Sequence, residues 1–283
     1  MNIDQADSLR RMIEKISKGV NLGFLNIMGS IFPRDKPIFV LSGTEKELLS
    51  LSNLSGNLGI ALATMNQRVG ILDAHSQSVN TSLILGIDAP LGVADIESER
   101  YSLKDVLYTG PLRVQFLKGF EIIENIQLWD GVYRDRFLQD IQQFFQREAN
   151  VVLINEIRPR FSFMLPRVVI VFSPTEESKI AAYKRLKKMC EANPDAQVSF
   201  IINNARSLAE ADSIAENFMV TAKKFLHKEV KYLGVIAVSA DMVKSIKLRR
   251  PFMIGYRYSK AAEYIRIVAK NILNVSAQTV TPT

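Results

Sequence analysis

The sequence predicts an α/β fold: a doubly wound, mainly parallel sheet of about seven to eight strands, preceded by an amphipathic N-terminal helix. Two uninterrupted apolar runs, at 151–154 and 168–172, are typical of strands buried on both faces. Such short runs alternate with longer helical patterns from residue 37 onward, which indicates right-handed crossovers. The predicted strands cover residues 37–41, 68–73, 119–124, 151–155, 167–172, 197–202 and 232–238. The predicted helices cover residues 47–65, 79–86, 102–108, 133–148, 177–191, 208–227, 240–247 and 259–273.

The composition suits one folded domain with a sizeable core. The chain has 283 residues, of which 47% are apolar and 23% charged. Its net charge of +7 permits an acidic partner, nucleic acid or an anionic membrane surface without choosing among them. A single cysteine, Cys190, excludes an internal disulfide, and two distant histidines give no metal-site spacing, so no metal is expected. No apolar run approaches the roughly 20 residues of a membrane span, and the polar N-terminus is not a secretion signal.

The chain divides into four predicted segments. Residues 1–18 are predicted to form a helix, because its apolar side chains recur every three or four residues and make one stripe. Residues 19–36 are predicted to be a linker that docks on the domain, since they are too apolar for a free tether. Residues 37–275 form the α/β domain, and residues 276–283 form a flexible tail.

The loop after the first predicted strand occupies the place of a phosphate-binding loop. An apolar strand leads into it, and a helical segment rich in small residues follows it. Residues 42–50 contain one glycine, Gly43, whereas backbone amides cradle phosphate only where glycines allow close approach. The carboxylates of Glu45 and Glu47 would repel a triphosphate. The sequence therefore predicts a nucleotide-binding fold whose nucleotide site is lost.

Several segments resemble the MinD/ParA-type deviant-Walker ATPases, and within them the flagellar number regulators FlhG, also called FleN. Residues 57–63 (NLGIALA), 68–74 (RVGILDA), Asn80 and 83–86 (LILG) are similar to that family's N-L-A-x-A-L-A … R-V-x-x-x-D-A-D … N … L-L-G run. Residues 101–107 (YSLKDVL) resemble the FlhG segment Y-T-L-x-D-V-L. The resemblance covers nearly the whole chain and implies a P-loop NTPase-like, MinD-like fold.

The family's phosphate loop, G-K-G-G-V-G-K-T, is altered here at its functional positions. When the match starts at Gly43, Thr44 stands where the signature lysine belongs. Leu49 then falls at the second lysine and Ser50 at the Mg²⁺-binding threonine. Lys46 replaces a glycine, and it is either a displaced signature lysine or a solvated side chain.

Three strand ends carry the remaining positions that the resemblance assigns to the nucleotide site. Asp73 matches the acid that positions water and Mg²⁺, but His75 replaces the second acid, and Asp73 is equally explained as a helix cap. Asn155 stands at the family's metal-linked aspartate, and an amide brings no charge to Mg²⁺. Asn203 matches the base-contacting asparagine, or it is a turn residue. Together these changes imply a pseudo-ATPase with no catalysis in cis and no ATP, Mg²⁺ or other cofactor.

The N-terminal segment carries the most specific match. Fixed positions of the FlhG activator motif D-Q-A-x-x-L-R are all present, at Asp4, Gln5, Ala6, Leu9 and Arg10. In FlhG this helix is implied to insert into the dimeric signal-recognition-type GTPase FlhF and to stimulate GTP hydrolysis. A glutamine amide can orient the attacking water, so the motif is physically coherent. The competing interpretation is an ordinary amphipathic helix packed on its own domain.

The resemblance predicts a regulator of flagellar assembly, number or placement. Its expected partners are an FlhF-type GTPase and flagellar switch or basal-body components, in the cytoplasm and recruited by a partner to the cell pole or inner membrane. Three alternatives stay open: a nucleotide-independent scaffold for a flagellar or pilus component, an unusual active ATPase using Lys46 and Asp73, and a DNA binder.

Charge and tail sequence bear on the other expected contacts. Basic clusters at 184–188, 223–231 and 244–250 are interpreted as solvated helix faces, or as the surface for an acidic partner if they merge. No nucleic-acid partner is expected. Membrane contact is expected to be at most indirect, because residues 274–283 do not form a basic amphipathic helix. Dimerisation is left open.

Overall fold

Eight strands form one mainly parallel sheet in the computed structural model, which describes residues 31–33, 36–75, 81–97 and 100–277. Across the sheet their order is β3-β4-β2-β5-β1-β6-β7-β8, and within the described residues every pairing is parallel except that of β3 with β4. The predicted sheet of seven to eight strands is therefore confirmed. The strands are β1 (Ile38–Ser42), β2 (Val69–Ala74), β3 (Leu107–Thr109), β4 (Gln115–Lys118), β5 (Val151–Glu156), β6 (Arg167–Phe172), β7 (Gln197–Ala205) and β8 (Val230–Ala237).

β1 lies in the middle of the sheet, between β5 and β6. Phe39 pairs with Leu153 on one side of it, and Val40 pairs with Val168 on the other. Every residue of β1 and β5 is buried, because helices cover both faces of the sheet. The chain leaves β1 toward β2 on one side and leaves β6 toward β7 on the other. A crevice for a ligand is therefore expected between the carboxyl ends of these strands.

Two layers of helices pack on the sheet. One core lies under α5, α6 and α7 and includes Phe137 and Leu186. The other lies under α1 and α10 and includes Leu58 and Ile265. The α-helices are α1 (Leu48–Thr64), α2 (Thr81–Leu85), α3 (Val93–Glu97), α4 (Leu103–Val106), α5 (Gly131–Gln143), α6 (Glu176–Ala192), α7 (Leu208–Leu226), α8 (Ala240–Lys247), α9 (Phe252–Gly255) and α10 (Lys260–Ala277).

Helix α1 is enclosed, because it packs against the sheet, α2 and α10 at the same time. All of its residues from 51 to 62 are buried. A Cβ atom at Gly59 would lie 2.6 Å from Ile71 Cδ1, and one at Gly56 would lie 2.9 Å from Ile84 Cγ2. The small residues that mark this segment in the sequence are therefore required by close packing.

The predicted strand at 119–124 is wrong. Gly119 has a φ of 77°, which ends β4, and the residues that follow form a 3₁₀ helix, Phe120–Leu128. Its buried side chains recur at every third position, namely Phe120, Ile123 and Ile126. A short apolar run of this kind cannot be told from a strand by composition alone.

The predicted helix at 102–108 is too long. The helix ends at Val106, and Leu107–Thr109 instead forms the antiparallel edge strand β3. Its start is well defined, since the Ser102 N–H donates to the Asp105 carboxylate at 2.8 Å. Beyond this first turn the chain pairs with β4, and this pairing overrides the helical pattern of the sequence.

The other predicted elements agree with the structure within a few residues. The helix predicted at 133–148 is α5 followed by one π-helical turn, Phe144–Glu148. α10 runs to Ala277, into the predicted tail. The short helices α3 and α9 were not predicted, because four or five residues are too few to show a helical period.

The end of the predicted linker is part of the core. Ile31 and Phe32 are buried, and the ring of Phe32 packs 4.9 Å from that of Phe145. This confirms docking for these two residues, whereas the predicted activator helix at 1–18 lies outside the described residues. Cys190 is a free thiol. None of the described helices combines the length and the apolar character needed to cross a membrane.

We expect Gly70→Ala to destabilise the fold. A Cβ at this position in β2 would lie 2.8 Å from Cζ of the buried Phe144 ring. Overpacking of this kind costs about 1–3 kcal/mol in free energy of unfolding. Urea denaturation would measure the loss, with Gly255→Ala as the matched control, since no atom lies within 4 Å of its added methyl group. Equal midpoints for the two variants would contradict the packing explanation.

Candidate functional site

A cavity of about 820 Å³ opens beyond the carboxyl ends of β1, β6, β7 and β8. It lies in the crevice that the strand order predicts. Its polar wall comes from the loop after β1 and the start of α6, and includes Thr44 and Thr175. Its apolar wall comes from α8 and from the residue that directly follows β8, and includes Val238, Met242 and Ile246. The cavity therefore occupies the position of a ligand site in an open α/β sheet.

The loop at Gly43 does not form an anion-binding nest. The Gly43 N–H donates to the Glu156 carbonyl at 3.1 Å, and the Glu47 N–H donates to the Thr44 carbonyl at 2.9 Å. A 3₁₀ turn, Glu45–Glu47, leads directly into α1. Gly43 does not adopt the positive φ that glycines provide in phosphate loops. These two amides are therefore already used within the chain and do not point at a ligand.

A carboxylate occupies the site at the start of α1. Glu47 is only 5% exposed, and its Oε1 accepts hydrogen bonds from the hydroxyls of Ser173 at 2.9 Å and Ser178 at 2.6 Å. Its Oε2 accepts from Ser50 at 3.0 Å. The positive end of a helix favours an anion, and at the start of α1 that position is occupied by the buried Glu47 carboxylate.

The one lysine that the loop brings to the cavity, Lys46, is paired with a carboxylate. Lys46 lines the edge of the cavity but forms an exposed ion pair with Glu177. Leu49, at the position of the second family lysine, exposes 46% of its surface beside the cavity. The hydroxyl of Ser50 is engaged by Glu47. Thr44 also lines the cavity, and a hydroxyl there cannot replace a cation.

Asp73 is buried and fully engaged. Its carboxylate accepts hydrogen bonds from the N–H of Thr81 at 3.0 Å and from the Thr81 hydroxyl at 2.8 Å. Thr81 is the first residue of α2, so Asp73 holds the start of that helix, as the helix-cap alternative expects. Asn155 Nδ2 lies 2.6 Å from the same carboxylate. The groups that donate hydrogen bonds to Asp73 are therefore neutral. In a metal site this carboxylate would instead bind the metal cation.

Asn155 joins three elements at this point. Its Nδ2 lies 2.6 Å from Ser55 Oγ and 2.9 Å from Thr81 Oγ1, in addition to Asp73. An amide nitrogen has two hydrogens, so these acceptors share them. Its Oδ1 is buried and has no hydrogen-bond partner among the described residues. Asn155 thus ties β5 to α1, β2 and α2.

His75 and Glu121 lie beside this network. His75 Nε2 is 3.7 Å from Asp73 Oδ1, and neither ring nitrogen has a hydrogen-bond partner in the described part of the chain. Burial raises the pKa of the Glu121 carboxyl, while His75 and Arg160 partly offset this. Across residues 31–33, 36–75, 81–97 and 100–277, no three His, Cys, Asp or Glu side chains are placed to hold a metal ion.

Asn203 lies in β7, where it pairs with Ile236 of β8 beside a β-bulge, and it is not among the residues that line the cavity. Its Oδ1 accepts the N–H of Asn204 at 3.0 Å, and its Nδ2 lies 3.5 Å from the Ser50 carbonyl. Asn204, with a φ of 59°, lines the cavity instead. The base-contacting role that the resemblance assigns to Asn203 is therefore not supported by its position.

The structure adds a buried ion pair that the sequence analysis missed. Glu156 has no exposed surface and accepts hydrogen bonds from the Ser42 hydroxyl at 2.7 Å and the Arg160 N–H at 3.0 Å. Arg185 lies 4.0 Å from it and donates to Ser42 Oγ and to the Ile157 carbonyl. Burial lowers the pKa of Arg185, and the Glu156 charge partly offsets this.

Arg185 belongs to a cluster that the sequence analysis interpreted as solvated. Lys184, Lys187 and Lys188 are exposed, but the Arg185 side chain is only 10% exposed. Arg185 and Leu186 both face the domain, and Leu186 is one of the buried core residues. In the sequence, the one indication that Arg185 is buried is its position next to Leu186, an apolar residue of α6.

Comparison with known proteins gives the family. None of the protein-family profiles compared with the chain matches it. The chain is 34% identical over 226 residues to an uncharacterised ATP-binding protein of Methanocaldococcus jannaschii, covering 78% of this chain and 82% of that protein. The chain belongs to the MinD/ParA-type ATPase superfamily.

Two further relatives of this MinD/ParA-type chain support the resemblance. The antiactivator FleN of Pseudomonas aeruginosa is 24% identical over 250 residues, covering 87% of this chain and 88% of FleN. The septum site-determining protein MinD of Pyrococcus horikoshii OT3, complexed with Mg-ADP, superposes with a TM-score of 0.64 at 17% identity. That superposition covers 87% of this chain and 99% of MinD. The predicted fold and the resemblance to the FlhG (FleN) group are thus confirmed.

We expect Arg185→Met to destabilise this MinD/ParA-type domain strongly. The variant leaves the Glu156 carboxylate buried without its cationic partner, which costs about 3 kcal/mol in free energy of unfolding. Urea denaturation would measure the cost, and the double variant Arg185→Met/Glu156→Gln should recover part of it. Lys46→Met is the control: both members of that ion pair are more than 70% exposed, so its loss costs at most about 0.5 kcal/mol. Similar losses for Arg185→Met and Lys46→Met would be inconsistent with a buried pair.

Proposed function

We propose that this chain is a FlhG-like regulator of flagellar assembly whose ATP switch has been lost. The observation that carries this proposal is the buried Glu47 carboxylate, held by Ser173, Ser178 and Ser50 where phosphate would bind. ATP would have to displace these hydrogen bonds and bring its own negative charge next to this carboxylate. The proposal therefore treats the chain as a pseudo-ATPase that acts through protein contacts.

The second support is the arrangement of the groups that would hold Mg²⁺. Asp73 is engaged by Thr81, and Asn155 brings an amide where the family resemblance expects a carboxylate. Mg²⁺ in a nucleotide site is held by one or two carboxylates together with phosphate oxygens. Asp73 is already engaged and Asn155 brings no carboxylate, so in this proposal the chain does not hold the Mg²⁺ that would assist hydrolysis in cis. The alternative of an active ATPase that uses Lys46 and Asp73 is disfavoured for the same reason.

The proposed activity of the chain is stimulation of an FlhF-type GTPase through Asp4, Gln5, Ala6, Leu9 and Arg10. Similarity to the antiactivator FleN supports a flagellar setting. In the proposed mechanism the Gln5 amide enters the partner's site and orients the water that attacks the γ-phosphate of GTP. The chemistry then takes place in the partner, in the cytoplasm, with flagellar switch or basal-body components as further partners.

A nucleotide-independent scaffold is the second candidate function. The rim of the cavity carries exposed apolar side chains: Leu49 is 46% exposed, Val243 53% and Val238 62%. Apolar surface beside an open cavity is typical of a site that binds a protein segment. In that case residues 1–20 would be dispensable for binding of a flagellar or pilus component, whereas the first proposal requires them.

We expect no binding of ATP or ADP to the chain in the presence of Mg²⁺. Isothermal titration calorimetry should show no saturable heat, and the nucleotide should not raise the melting temperature. A MinD with an intact phosphate loop serves as the positive control. A dissociation constant below about 1 mM would contradict the loss of the ATP switch.

We expect the full chain to accelerate GTP hydrolysis by its cognate FlhF. Gln5→Ala should reduce the stimulation by on the order of a hundredfold, because misplacing the attacking water has about that cost. Arg11→Ala is the matched control, since Arg11 lies next to the motif but outside its fixed positions. Phosphate release at saturating GTP is the measurement. Equal stimulation by wild type and Gln5→Ala, or none by wild type, would rule out the proposed activity.

A further inference from the structure

Residues 247–260 form an exposed basic surface that the proposed function does not use. The segment contains no Asp or Glu. Within the described residues none of its cations forms an ion pair, although the exposed Lys46 and Lys223 elsewhere each do. The five cations, all exposed, are Lys247, Arg249, Arg250, Arg257 and Lys260.

Apolar side chains are exposed on the same segment. Tyr258 is 86% exposed, Leu248 56% and Ile254 44%. The Arg257 guanidinium lies 4.7 Å from the centre of the Tyr258 ring, so charge and aromatic surface are presented together. The segment lines none of the cavities found at the ends of the sheet or beside α4. Its exposed cations and its exposed apolar side chains therefore project from the same segment.

Buried residues in the middle of the segment hold it in place. Phe252 and Met253 are at most 4% exposed, and the Met253 N–H donates to Asn57 Oδ1 inside α1 at 3.0 Å. The Phe252 ring stacks on that of Tyr256 at 5.6 Å. The exposed side chains on both sides of this anchor are thus presented by a fixed backbone, and binding would not have to order it.

We propose that residues 247–260 dock the protein directly on an anionic phospholipid bilayer. Unpaired cations are attracted to the negative surface of such a bilayer. Tyr, Leu and Ile side chains between them enter the headgroup region, where amphipathic and apolar groups are both stabilised. This surface is independent of the flagellar function proposed above, and it differs from the indirect membrane contact expected from the sequence.

A bilayer fits these residues better than the other anionic partners. Nucleic acid offers phosphates to the cations and bases to Tyr258, but no apolar surface to Leu248 and Ile254. Acidic peptides commonly bind in grooves, and the segment lines none of the three cavities named above. Binding of nucleic acid or of an acidic peptide by this segment, without binding of vesicles, would therefore overturn the proposal.

The test is co-sedimentation of the full chain with vesicles. Wild type should sediment with mixed phosphatidylglycerol–phosphatidylcholine vesicles and remain in solution with pure phosphatidylcholine. Arg249→Gln/Arg250→Gln/Arg257→Gln should weaken binding by on the order of a hundredfold. The matched control, Lys184→Gln/Lys187→Gln/Lys188→Gln, removes the same charge from exposed positions of α6 and should bind like wild type.

A second variant separates insertion from charge. Leu248→Ser/Tyr258→Ser keeps all five cations and should weaken binding about tenfold, most visibly at high salt, where charge attraction is screened. Unchanged melting temperatures would show that all variants fold. Absence of vesicle binding by wild type, or an equal loss in the α6 control, would overturn the proposal. So would variant-sensitive binding of duplex DNA without any binding of vesicles.

Discussion

The buried Glu156 carboxylate joins β1, the turn after β5 and α6 at the carboxyl edge of the sheet. It receives the hydroxyl of Ser42 from β1, two backbone amides from the turn that follows β5, and the nearby charge of Arg185 from α6. A charge without solvent is tolerated only when its hydrogen-bonding capacity is filled in this way. The loop after β1 starts from this point, because the Gly43 amide is held by the carbonyl of the same residue.

The function proposed above requires that the chain's own side chains occupy the nucleotide site of this superfamily. Near α1 the buried Glu47 carboxylate accepts three serine hydroxyls, and near β2 the Asn155 amide lies within hydrogen-bond distance of the Asp73 carboxylate. Glu47 and Asp73 are both held by hydrogen bonds within the chain, whereas Asn155 Oδ1 and both ring nitrogens of His75 are buried without a partner among the described residues.

The sequence was sufficient for the six buried parallel strands other than β4, because continuous apolar runs are a local signal. The placement of Asp73 and Asn155 in one site came from the family resemblance. The sequence was not sufficient for the Glu156–Arg185 pair, whose members are separated by β6 and are joined only by tertiary packing. The false strand at 119–124 has a similar cause. Its apolar residues suit either a strand or a tight helix, and the left-handed Gly119 decides between them. Which asparagine faces the cavity likewise depends on one β-bulge in β7, where Asn204 has a positive φ.

The enclosure of α1 has a consequence for how such a protein could be controlled. Switch proteins respond to a nucleotide because an element beside the phosphates has two arrangements of similar stability. Here that element is locked by Gly56 and Gly59 against Ile84 and Ile71, and its first turn is held by a carboxylate of the same chain. If the chain is the regulator proposed above and α1 keeps this one arrangement, its effect would be in proportion to its copy number. Synthesis and turnover would then be the means by which the cell adjusts it.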